Sequence, residues 1–305
     1  MLVSPILSRF RGYYQRKAAS LVFRRPFVIS PTRPLISFTF DDFPRSALLA
    51  GGAILNRFGV AGTYYVSLGL LGKNEPSGKM FILDDLTMVL KQGHELGCHT
   101  FSHRHSWETD RRAFEESILQ NRTALGKLVA GAQFRTFSYP ICPPRPLTKA
   151  AIAKYFLCCR GGGQTLNVGP TDLNQLSAFF LEKSRHDIQA VKDLVDHNRR
   201  VRGWLILATH DVCETPTPFG CTPEFFEDIV QCAVNSGAQI LPVASALEVL
   251  GAHASSATTQ PKRLASRGGT PRAHTSGNFV DSDRHSKRAM FIGRLRAKSL
   301  RCTAD

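Results

Sequence analysis

Between Pro34 and about Leu250 the chain alternates short, almost wholly apolar runs with longer amphipathic ones. Eight short runs read as strands, over 35–39, 62–67, 95–99, 135–139, 155–159, 178–181, 204–209 and 239–242. Between them, apolar residues recur at helical spacing over 46–58, 83–92, 110–129, 188–198 and 223–236. A strand with one wet face alternates polar and apolar positions, and these runs are too apolar for that. The pattern predicts an α/β fold: a distorted (β/α) barrel of seven to eight parallel strands wrapped by helices, in a single domain.

A chain of 305 residues, 43% hydrophobic, is long enough to bury one large core. No apolar run approaches the ~18 residues that a membrane-spanning helix needs, so no such helix is expected. The net charge of +15 sits at the two ends. Residues 1–33 carry seven Lys or Arg and no acid, and residues 252–305 carry eleven against three acids. The remaining 34–251 hold 21 basic and 21 acidic side chains, so the chemistry of the middle need not involve a polyanion, and nucleic acid is not the expected partner.

Three regions follow: a basic N-terminal extension over 1–33, a barrel over 34–251, and a basic tail over 252–305. The tail is rich in Ser, Thr, Ala, Arg and Gly with little apolar periodicity and reads as disordered, with a weak helical pattern at 290–300. The first apolar stretch, 2–7, is interrupted by Ser4 and Pro5 and followed by Arg9, Arg11 and Arg16, a poor secretory core. The expectation is a cytoplasmic protein whose residues 5–25 touch the anionic surface of the inner membrane. Eight cysteines occur without a CxxC pair, and Gly161–Gly163 lacks the spacing of a phosphate loop.

Three groups of residues carry chemistry. Asp41 and Asp42 end the first apolar strand, at the edge where α/β barrels place reacting groups. Adjacent carboxylates repel, and a metal relieves that cost by binding one and leaving the other ionised as a base, although a turn before Phe43-Pro44 also suits the pair. His99 and His103 are four apart just after the third strand, a spacing that on a helical turn lets both rings share a cation. With Asp42 they make a two-His, one-carboxylate site with positions open for water. His210 ends the most hydrophobic strand and would arrive at the same barrel face, where a proton donor is needed.

These residues, in this order, resemble the polysaccharide deacetylase family, the carbohydrate esterase family 4 group that includes nodulation-type chitooligosaccharide deacetylases. The resemblance spans roughly 35–247 and includes Gly93-His94-Glu95-Leu96-Gly97-Cys98-His99 and Gly62-Thr63-Tyr64-Tyr65-Val66. It implies that Asp41 is the general base, that Asp42, His99 and His103 hold one divalent metal, and that His210 is the general acid. The metal so implied is zinc, with cobalt, manganese or nickel compatible with the same ligands. The implied activity is removal of acetyl groups from N-acetylated sugars of a polysaccharide, oligosaccharide or glycolipid.

Two departures mark a divergent branch. The family often has an Arg-Pro-Pro-Tyr-Gly loop after its fourth strand, and this chain has Phe137-Ser138-Tyr139-Pro140-Ile141-Cys142. Ser138 then stands where the family's Arg would be, leaving Arg135 or Arg160 to partner the base. Ile141 takes the Tyr place, and the resemblance implies that its backbone N–H binds the oxyanion. The family's Asp-Trp motif, which tunes the acidic His, is not found. Two other readings remain open: an amidase acting on a non-sugar C–N bond, and a non-catalytic module binding anionic surfaces through its basic ends.

Overall fold

Two six-residue strands with every side chain buried, Leu35–Phe40 and Trp204–Thr209, run parallel and in register in the computed structural model. Burial on both faces requires a sheet covered by helices on both sides. The structure describes residues 5–141 and 143–251, all within one compact unit. The tail 252–305, including the helical pattern at 290–300, lies outside the described residues, as do Cys142 and Cys302.

Eight strands form the parallel sheet: β1 (Leu35–Phe40), β2 (Thr63–Val66), β3 (Glu95–Cys98), β4 (Thr136–Ser138), β5 (Cys158–Arg160), β6 (Phe179–Phe180), β7 (Trp204–Thr209) and β8 (Gln239–Ile240). Their order is β6-β7-β1-β2-β3-β4-β5, with β8 paired to the first half of β1 and β2 to its second half. The sheet curls as a distorted barrel. Backbone bonds from the loop after β5 line that strand's outer edge: Leu173 O accepts from Cys159 N at 2.7 Å, and Leu176 O from Gly161 N at 2.9 Å.

The helices are α1 (Pro5–Leu21), α2 (Ala53–Arg57), α3 (Leu83–Lys91), α4 (Arg111–Leu128), α5 (Pro146–Ile152), α6 (Ile188–Val201), α7 (Pro223–Asn235) and α8 (Val243–Val249). Their starts are written in the sequence. The Asp110 carboxylate accepts the N–H of Arg112 at 2.8 Å, and Thr222 caps α7 with Pro223 in its first turn. The expected helix at 46–58 begins as a π-helical segment, Ala47–Gly52, before becoming α2. A Cβ on Gly51 would lie 2.9 Å from the Phe40 ring, and one on Gly52 2.8 Å from the Tyr64 hydroxyl, so two glycines let this segment press onto the sheet. Among the described residues, no helix is long and apolar enough to cross a membrane.

The expected strand at 155–159 starts later, because Ala153–Tyr155 closes as a 3-10 turn at the end of α5. α5 and α8 were not expected: seven residues span only two turns, too few to show a period. The N-terminal residues make more contact than a loose extension would. Gln15 and Ala19 are buried, Pro26–Ile29 pairs antiparallel with Gly169–Asp172, and the Arg25 guanidinium reaches Phe156 O at 3.1 Å and Leu157 O at 2.7 Å.

Under the end of β1 lies an aromatic floor. Phe40 stacks on Tyr64 at 4.7 Å and Phe43 on Phe81 at 5.0 Å, all four rings fully buried. Each such ring contributes roughly 2–3 kcal/mol of burial, which makes the strand end a stiff platform for the residues that follow it.

Candidate active site

Asp41 still belongs to the ladder, its N–H bonding Thr209 O at 2.9 Å, and then the chain bends: Asp42 has φ 61° and Phe43 φ 63°. Side chains alternate along a straight strand, so this left-handed bend lets two consecutive carboxylates serve one site. Thr100, His103 and Ile141 share the same rare conformation, at φ 61°, 48° and 50°. Such strain gathers where surrounding packing can hold it, commonly at functional sites. Here it marks three separate loops that meet at one cleft.

The cleft has a volume of about 770 Å³ and is lined by Asp41, Asp42, His99, His103, Ile141 and His210. All six residues expected from the sequence therefore share one cavity. The ligand atoms of Asp42, His99 and His103 lie within 4.8 Å of one another. His103 Nε2 is 3.0 Å and His99 Nε2 3.4 Å from the same oxygen, Asp42 Oδ1, yet that buried oxygen makes no well-directed hydrogen bond. Two ring nitrogens converging on a carboxylate oxygen without hydrogen-bond geometry fit a cation's donor set better than an ion pair.

The surroundings support that fit. His99 Nδ1 meets Ser138 O at 2.8 Å, which fixes the proton on Nδ1 and leaves the Nε2 lone pair facing Asp42. Ser77 Oγ donates to Asp42 Oδ2 at 2.9 Å and orients the carboxylate. Burial alone would raise the Asp42 pKa, but the close approach of the His103 and His99 rings holds it well below the ordinary carboxylate value. Burial likewise opposes protonation of His103, and the Asp42 carboxylate outweighs it and raises that pKa. The two histidines meet through the bent loop at Thr100 and His103, not through a helical turn, with ring centroids 5.0 Å apart. His105 turns away toward Glu108.

Asp41 pairs with Arg160, at the end of β5. Of the two arginines considered, Arg160 holds this position; Arg135 pairs with Glu248 at 2.6 Å at the surface. The Arg160 guanidinium also lies over the Tyr65 ring at 4.7 Å and the Phe180 ring at 5.7 Å, so its plane is set from three directions.

His210 is oriented by backbone. Its Nδ1 faces Phe219 O at 3.2 Å, which leaves Nε2 as the nitrogen to present, and its ring packs on those of Phe219 and Phe180. Neighbouring Asp211 builds that loop, accepting from Thr217 N at 2.8 Å and Thr217 Oγ1 at 2.6 Å. Sequence reasoning missed Ser77, Phe180, Glu182 and Phe219, which also line the cleft. Ser77 and Phe219 come from loops, and Phe180 and Glu182 from a two-residue strand and the 3-10 turn after it, segments too short for a periodicity to mark. Of these, Glu182 carries the ionisable side chain: burial raises its pKa, and Oε2 is buried without a hydrogen-bond partner.

Residues 29–155 match the family model described as polysaccharide deacetylase. The matched segment contains Asp41, Asp42, His99, His103 and Ile141 and ends before Arg160 and His210. No curated protein sequence matches the chain. Among solved structures it is similar to the Xyl-CE4 domain of a multidomain xylanase from the hindgut metagenome of Trinervitermes trinervoides, at 19% identity and TM-score 0.52, over 72% of this chain and 92% of that one. A deacetylase solved with substrate aligns at 17% identity and TM-score 0.51, over 71% of this chain and 92% of that one. A carbohydrate esterase family 4 pseudoenzyme from Bacillus anthracis aligns at 13% identity and TM-score 0.50, over 72% and 66%. At these identities the likeness is one of fold.

Proposed function

We propose that the chain is a metal-dependent N-deacetylase of acetylated sugars, hydrolysing the acetamido C–N bond in a polysaccharide, oligosaccharide or glycolipid. The observation that carries this reading is the convergence of Asp42, His99 and His103 in the same cleft as an Arg160-paired Asp41. A metal-binding triad alone has many uses. Beside a carboxylate held by a buried arginine, and with an imidazole in the same cleft, it has the parts that amide hydrolysis needs.

Asp42, His99 and His103 would hold one divalent cation, zinc on the chemistry of the donors with cobalt, manganese and nickel as alternatives, and when bound it supplies a Lewis acid for the acyl oxygen and an acidified water. Asp41 removes a proton from the water as its oxygen attacks the acetyl carbon. Arg160 aims Asp41, and the Ile141 N–H would donate to the oxyanion. His210, protonated on Nε2, hands its proton to the nitrogen as the C–N bond breaks, giving acetate and a free amine.

The test is incubation of metal-loaded protein with N-acetylglucosamine oligomers, peptidoglycan and acetylated lipid-linked sugars, with acetate measured by a coupled assay. Acetate release that vanishes in Asp41→Asn is the expected result. Release from none of the three, or equal release by Asp41→Asn, would reject the reading.

A further inference from the structure

We propose that the N-terminal helix and the turn that follows it form a docking surface for an anionic lipid bilayer, with Leu21, Val22 and Phe23 as its apolar tip. These consecutive side chains are 70%, 41% and 48% exposed. Tyr14, Lys17 and Leu21 follow each other at helical spacing and share the outward arc of α1, while Gln15 and Ala19 face the protein. Tyr13, Tyr14 and Val28 are exposed too. Isolated exposed apolar residues need no explanation, but three in succession beside a pair of exposed tyrosines form a patch.

The backbone at the tip argues in the same direction. Phe23 has φ 50°, a conformation that a bulky residue adopts rarely, and it is held there by Asn174 Nδ2 donating to Phe23 O at 2.9 Å and by Arg25 N donating to Asp172 Oδ1 at 2.8 Å. Folding alone favours Gly or Asn at such a position. An aromatic ring held there and half in solvent is costly to the monomer and serves a surface that receives it.

Charge selects the occupant. Arg16, Lys17 and Arg24 are exposed around the tip, and residues 1–33 contain no acid. This basic collar repels the same face of a second copy, and it repels the segment 252–305 with its eleven basic and three acidic residues. Nucleic acid would satisfy the arginines but has no place for Leu21, Val22 and Phe23 together. An anionic bilayer accepts both, taking the apolar tip into the headgroup boundary and the collar against its phosphates. The helix is also linked through two contacts to the segment that follows Ile141. Tyr14 packs edge-on against Trp107 at 6.3 Å, and Trp107 Nε1 donates to Pro143 O at 2.9 Å, two residues beyond Ile141.

The test is sedimentation of the full chain with phosphatidylcholine vesicles containing roughly 30% phosphatidylglycerol, and with pure phosphatidylcholine, at low and high salt. Wild type is expected to bind the anionic vesicles and to be released by salt. Phe23→Asn and Leu21→Gln should each lose about tenfold or more in affinity, while Leu49→Gln, which removes an exposed leucine elsewhere, binds normally. Asn tolerates the left-handed backbone, so Phe23→Asn should melt no lower than wild type, and a loss of binding cannot be laid to unfolding. Wild-type binding by both tip variants, equal binding to neutral vesicles, or no binding overturns the proposal. So does a concentration-dependent dimer abolished by Phe23→Asn, or binding to duplex DNA in place of vesicles. The readout is binding and not acetate, so it stands or falls apart from the deacetylase reading.

Discussion

The Arg160 guanidinium meets Asp41 Oδ1 across 119 residues of sequence, with the arginine side chain fully buried and the aspartate nearly so. Removing one partner from a buried pair strands the other charge, which typically costs about 3–5 kcal/mol. Arg160→Gln is therefore expected to lower the melting temperature and to reduce turnover by roughly 100-fold, because the base loses the charge that aims it. Arg160→Lys keeps the charge but not the planar fork and should fall between the two. Thermal melting and acetate release measure both effects. Wild-type turnover in Arg160→Gln would remove Arg160 from the site.

Asp41 and Asp42 are neighbours with separable jobs. Asp42→Ala, His99→Ala and His103→Ala should each lose bound metal and activity together. Asp41→Asn should keep the metal and lose roughly 100-fold in turnover. Ser77→Ala frees the Asp42 carboxylate to rotate and should weaken metal binding by about tenfold, the low end for a group that orients a ligand. Metal content by elemental analysis separates these outcomes. Full metal in both histidine variants would end the ligand assignment.

The strands, and the six residues that line one cleft, were legible because they lie at or just beyond the point where an apolar run stops, a boundary that a single sequence records. The departures have a common cause. The Asp41–Asp42 pair works through left-handed φ values at Asp42 and Phe43, and His99 meets His103 through a bent loop where helical spacing was the expected reason. Arg160 was one of two arginines that the sequence left equal, since choosing between them needed the curl of the sheet that brings the end of β5 to the end of β1. Ser77, Phe180, Glu182 and Phe219 were not legible, because loops, a two-residue strand and a single 3-10 turn carry no period to read.

Glu182 tests a trade of stability for function. A carboxyl whose folded pKa is raised by burial costs the folded state stability as pH rises through the unfolded pKa to the folded one, and that cost is fully present above both. Glu182→Gln removes it and should raise the melting temperature above that range, with the gain fading as pH falls below the ordinary carboxyl value. The same charge interacts favourably with His210, so turnover should drop several-fold. A variant both less stable and fully active would contradict the assignment on both counts.

His94 provides a pH dependence that does not involve the cleft. Its Nδ1 accepts the N–H of Gly62 at 3.0 Å, its ring lies edge-on to Tyr64 at 5.4 Å, and its Nε2 is buried without a partner. Burial lowers its pKa from 6.5 to about 4. Protonation would put a hydrogen on Nδ1, facing the N–H it now accepts. The unfolded chain takes up that proton near pH 6.5 and the folded chain only near 4, so the contribution is complete above 6.5 and is lost as pH falls between those values. Its size is of the order of 2–3 kcal/mol. In His94→Asn the amide oxygen can still accept from Gly62, but nothing titrates, and the smaller side chain costs about 1 kcal/mol at neutral pH. Urea unfolding of both proteins in steps from pH 7 to 4.5 should therefore show wild type ahead at neutral pH and the gap closing or reversing on acidification. Parallel stability curves across that range would mean that His94 does not carry this proton linkage.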